Sequence, residues 1–184
     1  PHPLFYLDCP MTTLPSDRPL RLLFVCTGNS ARSQIAQTVL DRKGRGRYVA
    51  ESAGSEPAAR VNPLAIATLE AHGFFYTGHA PQGLDSVMGQ QWDFVITVCD
   101  RARESCPIFP GQPVLAHWGM PDPAEVTGTE VDRRRAFDDA LLTISRRIDL
   151  LLALPIEKLE RLALQRKVNE IGGAGAPPLA THAL

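Results

Sequence analysis

Two short apolar runs stand out along the chain, Leu20-Arg21-Leu22-Leu23-Phe24-Val25 and Asp93-Phe94-Val95-Ile96-Thr97-Val98. Both read as buried strands, and their unbroken apolar character is the kind found in parallel sheets. Residues 47–52 read as a further strand and residues 113–116 as a fourth, short one. Between them the spacing turns helical. Ile35, Ala36, Val39 and Leu40 share one face over residues 33–42, and Gly44 and Gly46 end that segment. Asn62-Pro63 opens a second helix with Pro in its first turn, and Gly73 closes it. A short helix is expected within residues 76–91. Phe137, Leu141, Ile144, Ile148 and Leu151 mark a long amphipathic helix over 130–154, and a last short helix is expected over 156–171.

Strands that alternate with helices imply right-handed βαβ units and an α/β fold with a parallel sheet. In such sheets a ligand sits beyond the carboxyl ends of the strands. Cys26 and Cys99 both follow strands at that edge, so the topology brings them close together. Three segments are expected: a flexible tail over 1–19, a single catalytic domain over 20–154, and a C-terminal helical extension with a disordered end over 155–184. The extension is expected to stand outside the catalytic body.

Composition narrows the function. The chain has 184 residues with 44% hydrophobic and 21% charged, ordinary for one globular domain. A net charge of -1 gives no reason to expect nucleic acid or a membrane surface as partner. No apolar run approaches the ~20 residues that span a bilayer, and the proline-rich start has no signal-peptide pattern. Met11 is a candidate start residue. Four cysteines (Cys9, Cys26, Cys99, Cys106) are too few for a secreted disulfide scaffold and read as cytoplasmic thiols. No Cys/His spacing suggests a metal site, and no cofactor is expected. His72 and His79 belong to no constellation, and Cys9 reads as a bystander.

The chemistry concentrates in Cys26-Thr27-Gly28-Asn29-Ser30-Ala31-Arg32-Ser33. Successive backbone N–H groups in a tight loop at a helix start make an anion cradle. Gly28 eases the turn. Asn29 is placed to brace the loop. Arg32 can grip two oxygens of a tetrahedral anion. Ser33 and the helix N-terminus are expected to lower the pKa of the Cys26 thiol. No Gly-Lys-Ser/Thr follows, so this is not a nucleotide-binding loop.

Cys99 and Cys106 are seven residues apart, about 10 Å of rise if helical. A disulfide needs Cα atoms within about 7 Å, so the pair closes only if the segment bends or unwinds. Taken alone, the pair also reads as two unrelated thiols. Asp122-Pro123, taken alone, reads as a turn.

The Cys-x5-Arg-Ser segment resembles the signature loop of the low-molecular-weight tyrosine phosphatase superfamily, in the Cys-Thr-Gly-Asn-Ser-x-Arg-Ser-Gln version of its arsenate reductases. Ser52-Ala53-Gly54, Val61-Asn62-Pro63-x-Ala65, Cys106-Pro107 and His117-Trp118-Gly119-x-x-Asp122-Pro123-Ala124 extend the resemblance from about Leu22 to Leu152. It implies a four-stranded parallel sheet flanked by helices, a three-layer flavodoxin-like arrangement. It also implies a detoxifying arsenate reductase in which Cys26 attacks arsenate, Cys99 then attacks and releases arsenite, and Cys106 takes over the disulfide. The oxyanion would sit on residues Thr27 to Ser33. Thioredoxin would be the reductant, with glutaredoxin and glutathione the other candidate. Asp122 would be the general acid, with His117 and Trp118 packing to position its loop. The resemblance keeps an alternative open: a phosphatase for phosphotyrosine or small esters, using Cys26, Arg32 and Asp122. The aromatic residues expected after Asp-Pro in such phosphatases are replaced here by Ala124 and Glu125. Two departures stand in the loop region. Ala31 replaces a further Cys of many relatives, and Gln37 stands where some carry a Glu linked to potassium.

Overall fold

The computed structural model describes residues 14, 15 and 17–173. Cys9 and the expected tails lie largely outside the described residues. Four parallel strands form one sheet in the order β2-β1-β3-β4: β1 Leu20–Cys26, β2 Tyr48–Gly54, β3 Phe94–Thr97 and β4 Val114–His117. All four expected strands are present, within two residues of their expected ends. β1 is central because its residues 22–26 are buried on both faces, which only an inner strand of a covered sheet requires. Its register pairs Cys26 with Gly54 on one side and Val25 with Thr97 on the other. The carboxyl ends of β1, β3 and β4 therefore release Cys26, Cys99 and Trp118 at one edge.

Helix α1 (Arg32–Gly44) follows β1 directly and buries Ile35, Ala36, Val39 and Leu40, the face expected from the sequence. It ends through Arg45 and Gly46, both in the left-handed region. Helix α2 (Pro63–Ala71) starts where Asn62 accepts a hydrogen bond from the Leu64 N–H. A 3-10 turn at Leu84–Ser86 supplies the short helix expected within 76–91. Helix α3 (Asp100–Glu104) is only five residues long. Helix α4 (Glu130–Leu152) opens on a capping box between Thr129 and Asp132. Its buried face carries Phe137, Leu141, Ile144, Ile148 and Leu151 and packs against α1 and α2.

The last expected helix is broken in two. A 3-10 turn at Ile156–Lys158 is followed by extended Leu159, whose side chain packs on the core, and then by α5 (Arg161–Gly173). The helix expected to stand outside the body packs onto it. Leu164, Val168 and Ile171 of α5 join the same buried cluster as β1 and β3, against β4. Among the described residues no helix is long and apolar enough to cross a membrane.

Candidate active site

The loop between β1 and α1 is held from outside by its own carbonyls. Ser55, Glu56, Ala58 and Asn62 donate backbone N–H groups to the carbonyls of Cys26, Thr27, Gly28 and Ser30, at 2.8–3.1 Å. A trans peptide sets C=O and N–H antiparallel. The N–H groups of Thr27, Gly28, Asn29 and Ala31 therefore turn the opposite way. The Asn29 N–H reaches Cys26 Sγ at 3.1 Å. The left-handed residue of the turn is Asn29 (φ 47°) rather than Gly28, the residue expected to ease it. Asn tolerates that conformation because its short polar side chain bonds locally. Gly54 is required here. A Cβ on it would stand 2.4 Å from the Thr27 carbonyl oxygen.

Asn29 is also the hub of a buried network. Its Nδ2 donates to Ser33 Oγ at 2.9 Å and to Ser52 Oγ at 2.8 Å, and its Oδ1 accepts from the Gln82 N–H at 2.9 Å. Ser52 donates to Gln37 Oε1 at 2.7 Å, and Gln34 donates to the carbonyls of Asn29 and His79. Gln37 is thus committed to Ser52. Among the described residues no group of three or more His, Cys, Asp or Glu side chains could hold a metal ion.

Cys26 is buried, with Ser33 Oγ 2.9 Å from its sulfur. Burial pushes the thiol pKa above its ordinary value, against the lowering influence of Ser33, the Arg32 charge and the Asn29 N–H. The lowered pKa expected from the sequence is therefore not found, because desolvation outweighs the hydrogen bonds. Ala31 begins α1 without any side-chain cap, which leaves its first N–H groups to another acceptor.

Arg32 turns toward the loop after β4. It donates to Met120 O at 3.0 Å and to Asp122 Oδ2 at 2.5 Å. Asp122 Oδ1 accepts from the Ala124 N–H. The two residues expected to hold an anion and to protonate it are thus in direct contact. Trp118 is fully buried against Phe24, and its indole donates to Val168 O at 2.9 Å. His117 lies between Thr97 Oγ1 (2.8 Å) and Asp100 Oδ1 (2.9 Å).

Cys99 caps α3, its sulfur accepting from the Ala102 N–H at 3.4 Å. The same sulfur lies 3.4 Å from Thr27 Oγ1, inside the loop that Cys26 opens. Cys106 falls beyond the end of α3. Pro107 after it disfavours helical backbone, so the full two turns considered from the spacing do not form. Cys106 borders a cleft of about 510 Å³ with Arg103, His117, Gln165 and Asn169. Cys26, Cys99 and Cys106 are all free thiols.

Residues 21–161 match the low molecular weight phosphotyrosine protein phosphatase family. The chain belongs to that family. The arsenate reductase of Halalkalibacterium halodurans is 33% identical over 127 residues, 69% of this chain and 91% of that protein. The arsenate reductase of Archaeoglobus fulgidus superposes with a TM-score of 0.58 at 29% identity, covering 72% of this chain and 99% of that one. The thioredoxin-dependent arsenate reductase of Corynebacterium glutamicum gives a TM-score of 0.53 at 26% identity, covering 73% and 64%. The resemblance read from the signature loop is thereby borne out, as is the four-stranded parallel sheet of the phosphatase family.

Several participants in this family site carried no separate signal in the sequence. Gln82 looks like a surface glutamine until Asn29 and Ser52 are in place, and Gln34 and Gln37 stand out only as a motif position and a departure, not as braces of the loop. Arg147 looks like the polar side of α4, yet it is buried and donates to Trp118 O and Gly119 O.

Proposed function

We propose that this chain reduces arsenate to arsenite through a disulfide relay from Cys26 to Cys99 to Cys106. The observation that carries the reading is the second thiol. Cys99 touches Thr27 of the oxyanion loop, and Cys106 follows on the same short segment. A phosphatase needs only the first thiol.

The oxyanion sits among the N–H groups of Thr27 to Ser33 and draws Arg32 away from Asp122. Cys26, with Ser33 Oγ 2.9 Å from its sulfur, is the nucleophile. Its proton passes to an oxygen of the anion as sulfur attacks arsenic, and one oxygen leaves as water with a proton from Asp122. Cys99 then attacks Cys26 Sγ. The S–As bond breaks with its electron pair on arsenic, which leaves as arsenite, and a Cys26–Cys99 disulfide remains. Cys106 attacks Cys99 Sγ, returns Cys26 to the thiol form, and presents Cys99–Cys106 to an external dithiol. Thioredoxin is the proposed donor, a partner supported by the relative from Corynebacterium glutamicum.

The test is arsenate turnover with thioredoxin, thioredoxin reductase and NADPH, beside glutathione with glutaredoxin, and p-nitrophenyl phosphate as the ester control. Arsenite formation with the thioredoxin system is expected. Ester hydrolysis with no arsenite under either donor would make the chain a phosphatase.

A further inference from the structure

Helix α5 begins at Arg161, where the family match ends, and its hydrogen bonds converge. Gln165 Oε1 accepts from the Leu115 N–H at 2.9 Å, and Asn169 Oδ1 from the His117 N–H at 3.2 Å. Val168 O accepts from the Trp118 indole at 2.9 Å. Gly172 O accepts from Arg147 at 2.6 Å, and the same guanidinium donates to Trp118 O at 2.7 Å and Gly119 O at 3.2 Å. Gly172 also lies flat against β4. A Cβ there would stand 2.1 Å from the His117 carbonyl oxygen.

Gln165 and Asn169 close the open edge of β4, as an edge strand needs. Edge cover alone does not account for the rest. Arg147, itself held by Gly172 O, bonds the Trp118 and Gly119 carbonyls just after β4, where the segment leading to Asp122 begins, and Val168 O holds the Trp118 indole. From the other side, Arg32 holds that segment at Met120 O and Asp122. The segment from His117 to Asp122 is clamped between α5 with Arg147 on one side and Arg32 on the other.

We infer that α5 is a positioning element for the acid loop, setting where Asp122 stands relative to Arg32 through Asn169, Val168, Gly172 and Arg147. The inference rests on the reading of Asp122 as proton donor. Displacing such a donor by about 1 Å lowers the chemical rate strongly. Anion affinity should change little, because the loop N–H groups are set by residues 55–62.

The test compares Asn169→Ala, Asn169→Asp and Gly172→Ala with the parent as full chains. Arsenate and p-nitrophenyl phosphate are assayed side by side over a range of pH. Asn169→Ala and Gly172→Ala should lose about tenfold or more in kcat with KM within about twofold. The high-pH limb of their kcat profile, where an acid gives up its proton, should move. Asn169→Asp keeps an acceptor for the His117 N–H and should stay near the parent. If Gly172→Ala melts below the assay temperature, the Asn169 pair decides. Parent-like kcat and pH profiles in Asn169→Ala, or equal losses in Asn169→Ala and Asn169→Asp, overturn the inference. A parent active on the ester but not on arsenate removes the reductase reading and leaves the inference to be decided on the ester. A parent inactive on both overturns both.

Discussion

Asn29 shows how much one side chain can hold at this site. Truncating it in Asn29→Ala removes one hydrogen bond each from Ser33 and Ser52 and the acceptor of the Gln82 N–H at a buried position. Stranded buried polar groups cost about 1–3 kcal/mol each before relaxation. Urea unfolding should therefore show a loss of about 2–3 kcal/mol, and a loss under about 0.5 kcal/mol would mean the network is not a brace. Cys26 gives a second measurement at this scale. Its pKa is raised, so the thiolate grows in only as pH climbs past the ordinary thiol range. Iodoacetamide labelling of Cys26 should have its midpoint above that of a free thiol, and Ser33→Ala should move it higher still, since Ser33 lowers the value. A midpoint below that of free cysteine would contradict this balance. Cys26, Arg32 and Ser33 were legible in the sequence because their spacing is itself the signal. The direction of the Cys26 shift was not, because it depends on how deeply the loop is buried.

At the scale of elements, β1 and β3 were the most legible strands because each is an apolar run with few alternatives. The loop's rear wall was less so. Ser52-Ala53-Gly54 was visible as a matching tripeptide, but only the β1–β2 register brings Gly54 against the Thr27 carbonyl. Gly54→Ala must push the loop or β2 aside, and overpacking of this kind costs about 1–3 kcal/mol. The measurable result is a lowered unfolding midpoint together with loss of protection of Cys26 by phosphate during labelling. Unchanged protection would show that the loop tolerates the shift. The break at Leu159 was not legible, since residues 156–171 keep helical spacing throughout; the core contact of Leu159 decides it.

The whole molecule gathers chemistry from distant segments onto one sheet edge. The order β2-β1-β3-β4 places the Cys26 loop, Cys99 and the His117–Asp122 segment side by side. Arg147 ties α4 and α5 to that edge from behind. Arg147→Met keeps much of the apolar stem but strands the carbonyls of Trp118, Gly119 and Gly172. A stability loss of about 2–4 kcal/mol is expected in urea, and a variant as stable as the parent would deny Arg147 that role.

The relay itself is tested most directly by Cys106→Ser, mixed with arsenate and excess reduced thioredoxin, quenched with acid, and mapped by mass spectrometry. About one arsenite per chain and a trapped Cys26–Cys99 disulfide are expected, against continued turnover in the parent. Multiple turnovers at the parent's rate, with no such disulfide, would contradict the account.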